Sequence, residues 1–233
     1  MRLDKFIAGI VDEENPEEIF KHLQEAAAQH GYDQIMYRAL RNHPDTQLPC
    51  VARTYPDEWI HHYVEAGYVD ADPVRLHMLA TNRPFRWTDA AEPGNRLHNR
   101  ILHEAEDAGL RDGIGIPIHG PNNQCVGIGF ASTLGKVDVK VAMPVLHLMA
   151  IQFHTAYSAR TLPPPPPPPR LTPRECEILR WCAVGKSAWA IGEILNIAEN
   201  SVEWHLKNIF RKLEVTSRIG AVLKALQFGI ITL

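Results

Sequence analysis

The chain has 233 residues, of which 45% are hydrophobic and 22% charged, and its formal net charge is −3 at pH 7. This composition is typical of a globular protein and excludes a disordered tail. Four cysteines without a C-x-x-C pair exclude a zinc ribbon and a thioredoxin-type motif, and they favour a reduced cytoplasm. Because the sequence has no run of 18 apolar residues and no signal-peptide pattern, we expect neither a membrane partner nor export.

Charge is distributed unevenly along the chain. The segment from Arg170 to the end contains nine Lys or Arg and six Asp or Glu, a net charge of +3. The remainder carries a net charge of −6. This asymmetry favours contact between the C-terminal segment and a polyanion.

Seven consecutive prolines, Pro163 to Pro169, divide the chain. Proline has a fixed φ and no amide hydrogen, so the run is excluded from helix and sheet interiors. We expect a polyproline II rod about 22 Å long, at about 3.1 Å per residue. The run predicts a stiff spacer at 163–169 between domains at 1–162 and 170–233, and a docking site for a proline-reading partner is the alternative.

The first 160 residues alternate helix and strand signals. Helices are predicted at Glu17–His30, Pro56–Ala66, Pro73–Thr81, Asn95–Ala108 and Val137–Ala159. Strands are predicted at Gln34–Leu40, Cys50–Thr54, Ile114–Ile118 and Val126–Ser132, the last two forming a hairpin around Gly120–Asn123. The order and lengths predict an α+β domain, an α/β/α sandwich with a mainly antiparallel sheet.

After the prolines, the sequence predicts an all-α domain of four helices. Thr172 and Glu175 form a capping-box pattern with Pro173 at the first helical position. The four helices are predicted at Thr172–Ala183, from Ser187, at Ser201–Leu213 and at Ser217–Phe228. A tight turn at Asn196–Asn200 between the second and third helices is typical of a helix-turn-helix DNA reader.

The predicted third helix has an apolar side and a polar side. Its apolar stripe is Val202, Leu206, Ile209, Phe210 and Leu213. The opposite face carries Asn200, Trp204, Lys207, Asn208 and Arg211, with Glu203 and His205 on its flanks. Such side chains suit base edges and phosphates, although polar faces are common on exposed helices. Trp204, a large aromatic residue opposite the core, favours a partner over plain exposure.

The segment LTPRECEILRWCAVGKSAWAIGEILNIAENSVEWHLKNIFRKLEV resembles the DNA-binding domain of LuxR-type transcription regulators. The matching positions include Thr172, Glu175, Gly185, Val202 and His205. The resemblance implies a homodimer on a two-fold symmetric operator, with RNA polymerase as a further partner. The residues expected to contact DNA are Lys186, Ser187, Asn200, Ser201, Glu203, Trp204, Lys207, Asn208 and Arg211.

The segment TYPDEWIHHYVEAGYVDADP, with Trp87 and Gly113 further on, resembles the acyl-homoserine-lactone-binding domain of the quorum-sensing branch of that family. The resemblance implies that Trp59 donates to the lactone carbonyl, Asp72 accepts from the ligand amide and Tyr55 donates to the acyl carbonyl. Further ligand contacts are expected from Tyr63, Val74, Trp87, Leu102, Ala105, Leu110 and Gly129. Core packing of the aromatic residues and a helix cap by Asp72 remain the alternatives.

Four positions depart from the family pattern. Gly129 stands where many relatives carry Ser or Thr, so we expect one hydrogen bond fewer, more room and a longer or bulkier acyl group. Gly115 is expected to add space, and Val74 replaces a Thr of some relatives. In the third helix, Glu203 replaces a basic or polar residue, and it can accept from cytosine N4 but repels phosphate.

Two competing classes are a lactone-degrading enzyme and a phosphorylated response regulator. The sequence has no G-x-S-x-G elbow, and His103-Glu104 lacks the second His of H-E-x-x-H. His61 and His62 are adjacent and would point about 100° apart on a helix, so they cannot easily share a metal. No βα alternation suits a phosphoacceptor. We therefore expect no catalytic residues, no metal and no cofactor besides the lactone ligand. A regulator responding to a different small ligand remains an alternative.

Overall fold

The computed structural model describes residues 2–41, 51–120, 124–135, 137–161 and 169–232. The chain divides into two compact units, Met1–Pro164 and Pro165–Leu233. Cys50, the turn at 121–123 and most of the proline run lie outside the described residues, so the predicted rod stays a prediction. None of the helices in the described ranges is long and apolar enough to cross a membrane.

The N-terminal unit is built on a five-stranded sheet. Its strands are β1 (Gln34–Arg41), β2 (Val51–Arg53), β3 (Phe85–Arg86), β4 (Asp112–His119) and β5 (Cys125–Ser132). Their order is β2-β1-β5-β4-β3, and every neighbouring pair is antiparallel. This confirms the predicted fold class.

Helices cover both faces of this sheet. They are α1 (Leu3–Val11), α2 (Pro16–Ala28), α3 (Asp57–Glu65), α4 (Pro73–Ala80), α5 (Trp87–Ala90), α6 (Arg96–Asp107) and α7 (Val139–Thr161). One face of β4 and β5 packs Ile114, Ile116, Ile128 and Phe130 into a core with α1, α2 and α7. The other face meets a second cluster that α3 and α6 help to form, and this cluster surrounds the candidate site.

The second face of the sheet is almost bare because glycines alternate along β4 and β5. An added Cβ at Gly113 would overlap the Trp87 indole. At Gly115 the added Cβ would lie 2.6 Å from Phe85 Cζ and 2.9 Å from Met78 Cε. The expectation that Gly115 opens the pocket is therefore wrong, since these two side chains fill the space beside it.

The C-terminal unit has four helices around a separate core. They are α8 (Pro173–Ala183), α9 (Ala188–Leu195), α10 (Glu199–Leu213) and α11 (Arg218–Gln227). Four of the five predicted stripe residues of α10 are fully buried, and Phe210 is partly buried. The predicted capping box is present, with Thr172 N–H donating to Glu175 Oε2 at 2.7 Å and Glu175 N–H to Thr172 Oγ1 at 3.3 Å.

The described helices and strands differ from the predictions mainly in short or tightly turned segments. Helix α10 begins two residues before Ser201, because Asn196 at φ 53° ends α9 at once. The turn is close to α9, since an added Cβ at Gly192 would lie 2.7 Å from the Ile197 carbonyl oxygen. Helix α1, strand β3 and helix α5 were not predicted. Two of these three have four residues or fewer, too few for a period to be recognised.

Candidate functional site

A cavity lies between the glycine-rich face of the sheet and helices α3, α4 and α6. It encloses about 700 Å³ of empty space, counting the space at its open mouth. All ten residues predicted for the ligand site line it, namely Tyr55, Trp59, Tyr63, Asp72, Val74, Trp87, Leu102, Ala105, Leu110 and Gly129. The structure thus brings together side chains that are up to 74 positions apart in the sequence, from Tyr55 to Gly129.

Asp72 is the central polar group of this cavity. Its Oδ1 accepts the Val74 N–H at 2.8 Å and so caps α4, and its Oδ2 accepts the Tyr63 hydroxyl at 2.8 Å. Burial raises the pKa of this carboxyl, and the hydrogen bond from Tyr63 acts in the opposite direction. The helix-cap interpretation of Asp72 is therefore confirmed, and it is compatible with a second role because each carboxylate oxygen has two acceptor sites.

Two buried donors in the cavity have no partner among the described residues. They are the hydroxyl of Tyr55 and the indole Nε1 of Trp87. Burial, and to a lesser extent the charge of Asp72, raises the pKa of Tyr55 well above its ordinary value, so the group remains a donor. An unsatisfied buried donor costs about 1–3 kcal/mol. A ligand that supplies acceptors to these atoms would recover that free energy.

Gly129 adjoins one of these donors. A Cβ added at Gly129 would lie 2.9 Å from the Tyr55 hydroxyl oxygen. The expectation of extra room here is therefore corrected, because the Tyr55 side chain occupies the space that a Ser or Thr would need.

Tyr63 has a role in the cavity beyond the ligand contact expected of it. Its hydroxyl is committed to Asp72, and burial raises its pKa further above the ordinary value. Tyr63 therefore orients the carboxylate as well as lining the wall.

Sequence reasoning missed eight further lining residues. They are Met36, Arg38, Leu40, Ile60, Arg75, Met78, Ile101 and Gly127. Three of them alternate along β1, a period that could have indicated a second functional face of that strand. The two arginines carried no local signal, since cations are ordinary on exposed strands and helices.

The second candidate surface is the exposed face of α10 with the turn before α9. Lys186, Asn200, Ser201, Lys207 and Arg211 are all exposed. Trp204 is 61% exposed and packs edge-on against the His205 ring, with ring centroids 5.0 Å apart.

Four of the predicted DNA contacts, Ser187, Glu203, Asn208 and Arg211, already have side-chain hydrogen bonds within the domain. Ser187 caps α9 by accepting the Ala190 N–H at 3.1 Å, and Asn208 Oδ1 accepts from Arg211 at 3.2 Å.

Glu203 is exposed on the same face but is held by a residue that sequence reasoning missed. Arg218 donates to Glu203 Oε1 at 3.1 Å and to the Lys186 carbonyl oxygen at 3.4 Å. The repulsion that Glu203 was expected to exert on phosphate is therefore partly cancelled by a neighbouring guanidinium.

Comparisons with known proteins match both parts of the chain. Residues 15–157 match the family described as an autoinducer binding domain, and residues 169–225 match bacterial regulatory proteins of the luxR family. The quorum sensing-dependent transcriptional regulator RpaR of Rhodopseudomonas palustris is 38% identical over 187 residues, covering 78% of this chain and 75% of RpaR. The transcriptional activator BjaR1 of Bradyrhizobium diazoefficiens is 34% identical over 237 residues, covering 97% and 94%.

Solved structures show the same fold. SdiA of Escherichia coli matches with a TM-score of 0.69 at 22% identity, covering 99% of this chain and 98% of SdiA. A structure of SdiA in complex with octanoyl-rac-glycerol matches with a TM-score of 0.67 at 23% identity, covering 98% and 94%.

Proposed function

Since this chain belongs to the LuxR family of quorum-sensing transcription regulators, with an autoinducer-binding domain before a helix-turn-helix domain, we propose that its cavity binds an acyl-homoserine lactone and so controls promoter binding. The chain is a regulator like its relatives and not an enzyme. One observation supports the lactone proposal most directly. The ten expected residues line one cavity, in which two buried donors have no hydrogen-bond partner among the described residues.

The polar groups of the cavity match those of an acyl-homoserine lactone. The ligand has a ring carbonyl, an amide N–H, an acyl carbonyl and an apolar chain. Asp72 has acceptor sites left for the amide N–H, and Tyr55 has a donor for the acyl carbonyl. Trp59 is assigned to the lactone carbonyl by resemblance, and apolar side chains surround the rest.

The ligand proposal is tested by Asp72→Asn and Trp59→Phe. Asparagine is also a good N-cap, so Asp72→Asn keeps the start of α4 while removing the charged acceptor. Each variant should weaken binding of octanoyl-homoserine lactone by about 1–3 kcal/mol in isothermal titration calorimetry. Asp70→Asn is the control, because the Asp70 side chain is 95% exposed and does not line the cavity. Parent-like affinity in both variants would show that the polar anchors are wrongly assigned.

An acylglycerol is the second candidate ligand. It is favoured by the fold shared with SdiA, which has been solved in complex with octanoyl-rac-glycerol. That ligand has an acyl chain and oxygen acceptors but no amide N–H. The affinity for octanoyl-glycerol should therefore be unchanged by Asp72→Asn, whereas the affinity for octanoyl-homoserine lactone should fall.

We also propose that the two domains, 1–162 and 170–233, are joined by the spacer 163–169 and act as a homodimer in the cytoplasm. The unit boundary within the proline run supports the division. Ile219 and Leu223 lie one turn apart on α11 and are 73% and 61% exposed, which supports a self-complementary contact. Two recognition helices related by two-fold symmetry would require a symmetric operator. RNA polymerase is the further partner, since several relatives are named activators.

DNA binding by α10 is tested with Lys207→Ala and Arg211→Ala in gel-shift titrations at two salt concentrations. If the lost side chain contacts only a phosphate, the alanine variant should bind all sequences more weakly. The slope of log affinity against log salt concentration should then fall by about one. If the lost side chain reads a guanine edge, the variant should lose about 1–3 kcal/mol of binding free energy, and only for sites with guanine at that base position. Lys21→Ala in α2 is the control. Unchanged DNA affinity in both variants would contradict the proposal that α10 lies in the groove of the DNA.

Glu203→Ala should behave in the opposite way. The substitution removes a negative charge and releases the Arg218 guanidinium. The affinity for non-specific DNA should therefore increase. The preference for cytosine at any base position that Glu203 reads should decrease. A lower affinity for unrelated DNA would contradict this assignment, and lactone affinity should be unchanged in all three variants.

A further inference from the structure

The cavity contains more positive charge than its recognised polar groups require. Arg38, Arg75 and Asp72 are the charged residues among those that line it. Among the described residues neither arginine side chain forms an ion pair with Asp72, whose oxygens accept from Val74 and Tyr63, and the ion pair of Arg75 is with Asp70. Buried or half-buried cations are normally paired with an acceptor. This excess of two guanidinium groups over one carboxylate is therefore unusual for an apolar pocket.

The hydrogen-bonding capacity of both guanidinium groups is largely unused. Arg75 donates from Nη2 to the Leu40 carbonyl oxygen at 3.3 Å, while its buried Nε has no partner. Its Nη1 lies 3.9 Å from a carboxylate oxygen of Asp70, whose side chain is almost fully exposed. The Arg38 side chain is partly buried and forms no hydrogen bond or ion pair within the described ranges of the chain. A guanidinium has five N–H donors.

The register of the sheet separates these donors from the lactone anchors. On β1, Met36 lies opposite Gly129, beside the Tyr55 hydroxyl, whereas Arg38 lies opposite Gly127. Two residues along a strand span roughly 7 Å. Arg75 reaches the carbonyl of Leu40, two residues further along the same strand. The guanidinium groups therefore lie on the side of the cavity away from Tyr55, where an acyl chain anchored at its carbonyl would extend.

We propose that the acyl group of the ligand carries an oxygen acceptor near its far end, a hydroxyl, carbonyl or carboxylate, which Arg38 and Arg75 bind. This inference rests on the proposed lactone function and specifies the class of acyl group. Arg38 and Arg75 are specificity-determining residues, because a ligand with an apolar end would bury their donors without a partner.

The competing explanation is that the arginines act only on Asp72. The charge of Arg38 does oppose the effect of burial, which raises the pKa of that carboxyl. In that case the arginines would influence every lactone alike through the amide anchor. The two explanations therefore differ in how affinity depends on the end of the acyl chain.

The test uses full-length protein and homoserine lactones with six or eight acyl carbons, each ending in a methyl, a hydroxyl or a carboxylate. Affinities are measured by isothermal titration calorimetry. The parent should bind at least one oxygen-ended lactone about tenfold or more tightly than the methyl-ended lactone of equal length. Arg38→Met and Arg75→Met should each reduce that preference by about tenfold, because oxygen-ended lactones lose a donor and methyl-ended lactones no longer bury one without a partner.

Arg83→Met is the matched control, because Arg83 is exposed and does not line the cavity. Arg38→Lys keeps the charge and tests the inference if a Met variant fails to fold; it should keep part of the preference. The inference is overturned if the parent prefers methyl-ended lactones, or if the arginine variants weaken all lactones equally. Failure of the parent to bind any lactone would instead overturn the proposed function, and this inference with it.

Discussion

The two units of the molecule treat their functional polar groups in opposite ways. In the N-terminal unit these groups are buried around a cavity, and the Tyr55 hydroxyl and Trp87 N–H lack partners. In the C-terminal unit eight of the nine candidate DNA contacts are exposed and Asn208 is partly buried, whereas both oxygens of the buried Glu175 carboxylate accept hydrogen bonds. The first unit is therefore incomplete until a ligand fills it, and ligand binding should stabilise it by mass action. The second unit is more nearly complete before it meets its partner, since His205 Nδ1 is its one buried side-chain atom without a hydrogen bond among the described residues.

The strongest test of the more complete unit is Glu175→Ala. Glu175 is 3% exposed, and its oxygens accept from Lys212 Nζ at 2.7 and 2.9 Å, linking the start of α8 to the end of α10. Removing the carboxylate leaves a partly buried ammonium without its partner, so the C-terminal unit should lose about 3 kcal/mol. Hydrogen exchange of the α8 and α10 amides measures this loss. Glu177→Ala, which breaks a surface pair with Arg174, should cost no more than about 0.5 kcal/mol.

Gly113→Ala tests the incomplete unit. The new Cβ would overlap the Trp87 indole and force it off the sheet. We expect a loss of about 2 kcal/mol in stability and a marked loss of lactone affinity, measured by thermal unfolding and calorimetry. Gly120→Ala is the control, because an added Cβ there meets its nearest neighbour at an ordinary 3.4 Å. Parent-like binding by Gly113→Ala would separate Trp87 from the ligand site.

Tyr55→Phe and Tyr37→Phe are expected to have opposite effects, the first on lactone affinity and the second on stability. Tyr55→Phe removes an unpartnered hydroxyl, so stability without ligand should not fall, while lactone affinity should fall by about 1 kcal/mol. Tyr37 Oη lies 2.8 Å from His154 Nδ1 on the opposite side of the sheet. Its removal should cost about 1 kcal/mol of stability and leave affinity unchanged. The same response in both variants would contradict the contrast between orphaned and satisfied hydroxyls.

The smallest expected effect concerns Glu104. Its carboxylate accepts from Arg100, Tyr68 and His62, and these hydrogen bonds, that of Arg100 foremost, lower its pKa from 4.5 to about 2. A folded-state pKa below the unfolded value gives stability that is complete above about pH 4.5 and is lost as the pH falls towards 2. Glu104→Gln should lower the melting temperature by about 2 °C at pH 7. A difference from the parent that persists at pH 2 would contradict this sign.

Local patterns predicted the fold well where they were long. The helices α2, α6, α8 and α10 were predicted with one or two residues of error, because their apolar stripes and caps lie within one window of sequence. Helix α1 was missed, and β3 is too short to show a period. The ten ligand residues came from a family resemblance, and their common cavity supports the assignment without testing any single contact.

What the sequence could not reveal depends on contacts between distant residues. The space beside Gly129 is filled by a hydroxyl 74 positions earlier in the chain, and Glu203 is held by Arg218 from the next helix. Likewise, Arg38 and Arg75 gain their significance only because the sheet and α4 enclose the same cavity. Each of these facts needs the tertiary fold.

The bare face of the sheet also governs how this pocket can evolve. Gly113 is matched to Trp87, so a larger residue at that glycine is tolerated only after the indole has been replaced by a smaller side chain. Substitutions at Gly113 and Trp87 are therefore strongly non-additive. Selection for a new signal molecule would have to shrink the aromatic residue first and fill the strand position second, and lineages that reversed this order would pass through an unfolded or unresponsive intermediate.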